Sequence, residues 1–284
     1  MKKQQIIVAG SGIIILVIFY FFGNTVPPIK KSATSKSSET TSQSIDIKTI
    51  LDAGKAKLSP AHQAYVNRLE NSVVRGNLQD QQIKADLQLA GFWRDSVENG
   101  FLLFIYYTSE AAKLENSEKS LTFAAQLFLN NLRGQDNSAI KNWMATESRA
   151  LFERAEKLNP DNDSTKIGLG ATYIFGSGGA QPQEVMKGIQ KILEVTRRDS
   201  LNMYAQLMLG MGGIESGQYD KAIQRLLKVV HYDPGNLEAL LSLGEAYERT
   251  GDNASAKTWY TEAKKRTTNQ SLIDAIDERL GSLK

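Results

Sequence analysis

The sequence contains no cysteine and only two histidines, His62 and His231, among its 284 residues. Without cysteine the chain can form no disulfide, no thiolate metal site and no cysteine nucleophile. Two histidines far apart in the sequence are too few for a histidine zinc site or a catalytic triad. Paired carboxylates for acid–base catalysis would need a shared pocket, and no constellation in the sequence suggests one. We therefore expect no enzyme activity, no metal, no cofactor and no small-molecule substrate.

The sequence also lacks a strong charge of either sign. Lysine and arginine together number 34, and aspartate and glutamate number 31. Four of the lysines, Lys2, Lys3, Lys30 and Lys31, lie in the N-terminal segment, and without them 30 basic residues remain against 31 acidic ones. This balance is unlike the strongly basic surface that nucleic-acid-binding proteins present. We therefore expect no nucleic-acid partner.

Long apolar runs are absent except at the N-terminus, where residues 6–22 are uncharged, follow Lys2 and Lys3, and end in three aromatic residues. As a helix this run would be roughly 25 Å long, the short end of what crosses a bilayer. A cleaved secretory signal has the same basic start, but residues 23–28 offer no small-residue cleavage site. We predict a short basic N-terminus, residues 1–5, and an uncleaved transmembrane anchor. The charges favour an N-terminus inside and the rest of the chain across the membrane, in the periplasm of a Gram-negative cell.

Residues 23–45 include a stretch rich in serine and threonine, 32–44, that has almost no apolar side chains. Such a composition cannot bury enough surface to offset the entropy of ordering, so a disordered linker is predicted. Helical periodicity returns in residues 46–83, where we predict helices over 46–58 and 61–74. Ser59 and Pro60 suit the start of the second helix as N-cap and first-turn residues.

Beyond residue 84 the sequence repeats itself. Three segments share a leucine–glycine pair in the same setting: Lys166-x-x-Leu169-Gly170-x-x-Tyr173, Gln206-x-x-Leu209-Gly210-x-x-Gly213 and Leu240-x-x-Leu243-Gly244-x-x-Tyr247. A small residue then recurs at intervals of 34, as Gly188, Ala222 and Ala256. Each is followed by a bulky position and a further packed position, namely Ile192 and Val195, Leu226 and Val229, and Tyr260 and Ala263. This spacing predicts helix hairpins that bury their apolar faces by stacking.

The pattern resembles the tetratricopeptide repeat family over residues 84–270. The resemblance implies an all-α fold, a right-handed α-solenoid of helix pairs, to which the apolar run would add one N-terminal transmembrane helix. The earliest repeats match only loosely, and one has a lengthened second helix predicted at 138–158. The glycines and proline of 176–183 predict an exposed loop, either a contact site or a tolerated insertion. Residues 271–284 are predicted to form a capping helix with a polar outer face.

In the resembling family the first helix of each repeat lines a concave face that binds a protein or peptide. Lysine and asparagine clamp a terminal carboxylate in some members, but the matching positions here are apolar or acidic, so no such clamp is expected. An apolar patch with an acidic margin suits an apolar or basic extended segment or amphipathic helix. Alternatively, Ile167, Leu207 and Leu241 would pack against the next repeat. Carried over by position, the binding groove would comprise Ile174, Tyr204, Leu207, Met211, Ile214, Leu241, Glu245 and Glu248.

Together these features predict a membrane-anchored scaffold or adaptor that binds partner proteins through a groove, without catalysis. Two other functions are compatible with the same sequence. One is an accessory chaperone for exported proteins, acting in translocation or envelope assembly. The other is a regulatory subunit of a membrane enzyme complex.

Overall fold

The computed structural model describes residues 46–75, 79–176 and 181–283. Over these ranges the chain is all-α, as the sequence predicts. The described residues form thirteen helices and no strand: α1 Ile47–Ala56, α2 Pro60–Arg75, α3 Gln79–Asp95, α4 Phe101–Glu115, α5 Glu118–Leu132, α6 Ser138–Leu158, α7 Asp163–Gly176, α8 Pro182–Arg198, α9 Met203–Glu215, α10 Tyr219–Tyr232, α11 Leu237–Thr250, α12 Asn253–Lys264 and α13 Gln270–Ser282.

The predicted anchor, residues 6–22, and the predicted linker, residues 23–45, lie outside the described residues. Part of the predicted loop, residues 177–180, lies outside them too. In the ranges that the structure covers, no helix is both long enough and apolar enough to cross a bilayer. The anchor and the linker stay predictions.

From α3 onward the helices pair in sequence: α3 with α4, α5 with α6, α7 with α8, α9 with α10, and α11 with α12. Each second helix also packs against the first helix of the following pair. In addition α5 contacts α7, α7 contacts α9, and α9 contacts α11, so the first helices form a layer of their own. The last helix, α13, packs on α12. This is the neighbour-to-neighbour stacking of an α-solenoid.

Side chains next to the helix ends determine several helix boundaries. Asn202, Asn236 and Asn269 accept hydrogen bonds from the backbone N–H three residues ahead, at 3.0, 3.0 and 3.2 Å, and thereby start α9, α11 and α13. Each such N-cap contributes about 1 kcal/mol to helix stability. Gly251 follows α11 with φ of 83°, a left-handed conformation that glycine adopts without strain. The boundaries are therefore encoded locally in the sequence.

The small residue of each repeat lies where two helices cross. A Cβ added to Gly188 of α8 would lie 2.3 Å from the carbonyl oxygen of Gly170 in α7, far inside van der Waals contact. The equivalent Ala222 and Ala256 are fully buried. The bulky and packed positions that follow each small residue are buried as well. The predicted register of the repeats is confirmed.

The length of α6 and the break between α7 and α8 both agree with the sequence-based predictions. Helix α6 spans Ser138–Leu158, so the lengthened helix has the predicted bounds. Phe152 and Ala155 are fully buried on it, which shows that the extra turns leave its packed face in register. Helix α7 ends at Gly176 and α8 begins with Pro182 at its first position, as the helix-breaking residues predict.

Helices α7 and α9 have almost no exposed face. Every residue from Ile167 to Phe175 in α7 is buried, and so is every residue from Ala205 to Ile214 in α9. A helix that is apolar on all sides belongs inside a core. The two helices lie in one apolar cluster that runs from Ile105 in α4 to Ala246 in α11.

Candidate functional site

The predicted groove residues do not form one open surface. Ile174, Leu207, Met211 and Ile214 are 0, 6, 1 and 6% exposed, respectively. They lie on α7 and α9, which are packed on all sides, so these four side chains belong to the core and are not accessible to a partner. Ile167 is likewise buried at 1% exposure. For these positions the packing alternative is correct and the groove assignment is wrong.

The first helices cover this part of the concave face by contacting one another across it. Gln126 of α5 donates from Nε2 to the Tyr204 hydroxyl of α9 at 3.2 Å, although the two residues are 78 apart in sequence. Arg133, just after α5, lies with its guanidinium carbon 5.5 Å from the centroid of the Phe175 ring. Tyr204 is half-buried by these contacts, and its burial raises the pKa of its hydroxyl.

The concave face stays accessible beside α11, where a cavity of about 570 Å³ opens. We call it the α11 pocket. Two predicted residues, Leu241 and Glu245, line it, and Glu248 lies beside it, bound to Arg279. Side chains from four separate places in the chain build its walls: Arg133, Leu237, Glu238, Leu241, Ser242, Glu245, Tyr260 and Arg279.

Two of the glutamates at the α11 pocket are held in place. Glu245 lies between Arg133 and Arg249, at 3.5 and 3.6 Å. Glu248 accepts hydrogen bonds from the Arg279 guanidinium at 2.8 Å and from the Tyr260 hydroxyl at 3.1 Å. Their negative charges are therefore largely compensated within the fold.

Burial is the main reason that the pKa of Tyr260 rises to about 12. The tyrosine hydroxyl therefore stays protonated at neutral pH and continues to donate to Glu248.

Glu238 is the accessible carboxylate of the pocket. Its side chain is 52% exposed, and the Arg133 guanidinium is 4.0 Å away, the outer limit of an ion pair. Leu237 and Leu241 are half-buried one turn apart and give the pocket an apolar floor beside this carboxylate. An apolar surface next to an available negative charge can hold an extended segment that carries an apolar and a basic side chain.

Sequence reasoning missed three residues of the α11 pocket, Arg133, Tyr260 and Arg279. Arg133 follows α5 in a repeat that matches the family poorly, and Arg279 lies in the capping helix. Neither position carries a sequence signal for the concave face, because the curvature of the solenoid alone brings them to α11. The sequence predicts Tyr260 as a packing position. In the structure this residue of α12 also lines the pocket.

The same part of the structure offers no site for a metal. In the described ranges, no group of three or more histidine, aspartate or glutamate side chains is placed to hold a metal ion. What the α11 pocket presents is an apolar floor, one exposed carboxylate and two arginine side chains. These are groups for recognition by contact and charge.

A family model described as tetratricopeptide repeat matches residues 214–279. The matched segment runs from the end of α9 into α13 and contains the pair α11 and α12 that carries most of the pocket. Residues 214–279 are therefore a tetratricopeptide repeat segment. The repeats upstream of the matched segment are recognised by their helix pairing and by the register of their small residues.

Three solved structures illustrate what the chain is similar to. A thermophilic TPR protein from Thermus thermophilus has a TM-score of 0.54 and 14% identity, with 72% of this chain and 98% of that chain covered. The structure of YrrB, described as a TPR protein with an unusual peptide-binding site, has a TM-score of 0.41 and 14% identity, over 74% of this chain and 97% of the other. The structure of MamA has a TM-score of 0.42 and 16% identity, with 66% of this chain and 93% of that chain covered. No curated protein shows significant sequence similarity to the chain.

Proposed function

We propose that this protein is an interaction scaffold and that the α11 pocket binds a segment of a partner protein. The observation that carries the proposal is the combination of an apolar floor, Leu237 and Leu241, with the exposed carboxylate of Glu238 on the concave side of a tetratricopeptide repeat. Elsewhere on the concave face, α7 and α9 are covered by core packing and by contacts across the groove. The partner segment is therefore short and engages one end of the solenoid.

The chemistry of the pocket favours an apolar residue close to a lysine or arginine in the partner. Glu245 and Glu248 are already paired with arginines, which leaves Glu238 as the carboxylate able to attract a new cation. Electrostatic complementarity of this kind selects partners and speeds association more than it adds affinity. The apolar floor then provides the contact that holds the segment in place.

A charge reversal at Glu238 tests this proposal. Random peptides displayed on phage are selected for binding to the full chain. The enriched peptides should contain an apolar residue close to a basic one. Glu238→Lys should weaken binding of those peptides about tenfold, a change of about 1.4 kcal/mol, because the new ammonium repels the basic residue. Fluorescence anisotropy with labelled peptides measures the change.

Glu194→Lys is the matched control, because it makes the same substitution at an exposed position of α8, outside the pocket. It should leave the affinity unchanged, and both variants should melt like the wild type, since exposed ion pairs contribute little to stability. Equal binding by wild type and Glu238→Lys would place the site elsewhere, and the loop at 176–183 would be tested next.

We also propose that residues 6–22 anchor the scaffold in a membrane, with the N-terminus inside and the solenoid on the opposite side. The support is the uncharged apolar run behind two lysines and the missing cleavage site. Mass spectrometry of the membrane fraction should find the mature chain starting at Met1 or its neighbour. A phosphatase fused after Lys284 should be active. A soluble product that starts between residues 22 and 32 would contradict the anchor.

A further inference from the structure

A second cavity, of about 310 Å³, lies among the N-terminal helices, away from the α11 pocket. Its walls come from α1, α2, α3 and α4, and we call it the N-terminal cavity. Leucine side chains and two tyrosines, Tyr106 and Tyr107, provide much of its lining. Three carboxylates, Glu70, Asp86 and Glu110, face it as well. Three acids around a small, partly apolar space need an explanation, because carboxylates are seldom buried without a partner.

Glu70 is fully accounted for by its neighbours. The Lys55 ammonium of α1 donates to it at 2.5 Å, and the Tyr107 hydroxyl of α4 donates to its other oxygen at 2.6 Å. Burial, together with the hydrogen bond to Glu70, raises the pKa of Tyr107 far above its usual value, so the hydroxyl remains a donor. This carboxylate therefore ties α1, α2 and α4 together and is not available to a ligand.

Asp86 of α3 is different. It is 3% exposed, lines the cavity, and makes no hydrogen bond or ion pair with any residue in the described ranges. The charged group that acts on it is Glu110, which has the same sign. Glu110 in turn shares its lysine, Lys113, with Glu147, each at 2.8 Å. Burial and the Glu110 charge together raise the pKa of Asp86 to about 7.

Among the residues that the structure describes, the charges at and beside the N-terminal cavity show a deficit of cations. Glu70, Asp86, Glu110 and Glu147 bring four acidic groups, whereas the lysines that pair with them are Lys55 and Lys113. The deficit is concentrated at Asp86, the one member of the set with no positive partner among the described residues. A cation entering the cavity would meet an uncompensated carboxylate in a low-dielectric setting, where ion pairing is strong.

We propose that the N-terminal cavity binds a primary ammonium group on a short alkyl chain, with Asp86 as its counter-ion. An ammonium carries three donors, enough to reach Asp86 and Glu110 on neighbouring helices at once. The alkyl chain would lie against leucine side chains and the Tyr106 ring, whose face also attracts a cation. A metal ion is a weaker candidate, since no acidic cluster in the described ranges has the geometry to hold one.

Isothermal titration calorimetry tests the proposal, with the full chain in mild detergent and amine-free buffer at pH 8. The probes are cadaverine, which is a free alkyl diamine, and Nα-acetyl-lysine methylamide, which presents a lysine side chain. We expect saturable one-to-one binding of at least one of them and none of the neutral 1-pentanol. Cadaverine binding alone identifies a free amine as the ligand, whereas binding of both identifies the lysine side chain of a polypeptide. Because the ionised carboxylate is the binding form, affinity should rise between pH 6 and pH 8.

Asp86→Asn should lower the affinity at least tenfold, since it removes the charge and keeps the shape. Glu110→Gln, a second and milder variant, should lower it several-fold, so the proposal can be tested even if one variant folds poorly. Asp52→Asn, an exposed position on α1, is the matched control and should bind like the wild type. Absence of amine binding by the wild type, or binding that Asp86→Asn leaves unchanged, would overturn the proposal. Peptide binding at the α11 pocket is measured separately and does not depend on this result.

Discussion

Replacing Gly188 by alanine should lower the free energy of unfolding by about 3 kcal/mol, although it adds only a methyl group. The added Cβ would lie 2.3 Å from the Gly170 carbonyl oxygen, 2.9 Å from Cγ1 of Ile174 and 3.0 Å from the Cβ of Tyr173. Two of these three neighbours are rigid atoms of α7, so the helices would have to separate. The gain in helix propensity from glycine to alanine, at most about 1 kcal/mol, is too small to offset this. Urea unfolding followed by circular dichroism measures the change.

Gly91→Ala is the matched control for this substitution. Gly91 lies inside α3, and a Cβ added there would meet no heavy atom within 4 Å. The same chemical change should therefore stabilise the protein by about 0.5–1 kcal/mol, because alanine is the better helix former. If the two variants unfolded at the same urea concentration, α7 and α8 would not approach each other as closely as the structure shows.

The repeats could be predicted from the sequence because their signals are local. The small residues Gly188, Ala222 and Ala256 mark helix crossings within one hairpin, and the asparagine N-caps mark helix starts. The length of α6 was predictable for the same reason, since eleven extra residues make close to three helical turns. Each of these features depends on residues less than 35 positions apart.

The concave face could not be predicted in the same way, because it depends on how far the solenoid curves. The curvature brings Arg133 to Glu245 and Gln126 to Tyr204, contacts between residues two or three repeats apart. The sequence of α9 does contain a signal for the core. Helix α9 carries no charged residue between Met203 and Ile214, and apolarity on every side indicates a helix surrounded by others. That pattern would have assigned Leu207, Met211 and Ile214 to the core.

The N-terminal cavity had even less sequence support. Asp86 lies in the degenerate first repeat, among polar residues that are typical of an exposed helix face. Its burial follows from the packing of α3 between α2 and α4, which no motif in the sequence specifies. The unpaired carboxylate is thus visible only once the tertiary structure is known.

Replacing Asp86 by asparagine should stabilise the protein at pH 8 and have almost no effect at pH 4. Burial raises the pKa of Asp86 from 3.8 to about 7 in the folded protein, so between these values the folded state binds more protons than the unfolded state. The stability of the wild type therefore falls as the pH rises through this window, and above pH 7 the full penalty of the buried charge applies. Asparagine carries no charge, so the Asp86→Asn variant does not have this penalty.

The pKa shift alone corresponds to about 4 kcal/mol at 1.36 kcal/mol per unit. A protonated aspartate and an asparagine leave similar polar groups without partners, so that cost cancels between the two proteins. Solvent screens part of the charge at the cavity wall, so a net stabilisation on the order of 2 kcal/mol is expected at pH 8. Urea midpoints measured from pH 4 to pH 8 in amine-free buffer should diverge between the two proteins as the pH increases. Asp52→Asn, at an exposed position, should follow the wild type throughout. Parallel curves for wild type and Asp86→Asn would mean that Asp86 is already compensated in the folded protein, and the cation deficit of the N-terminal cavity would not exist.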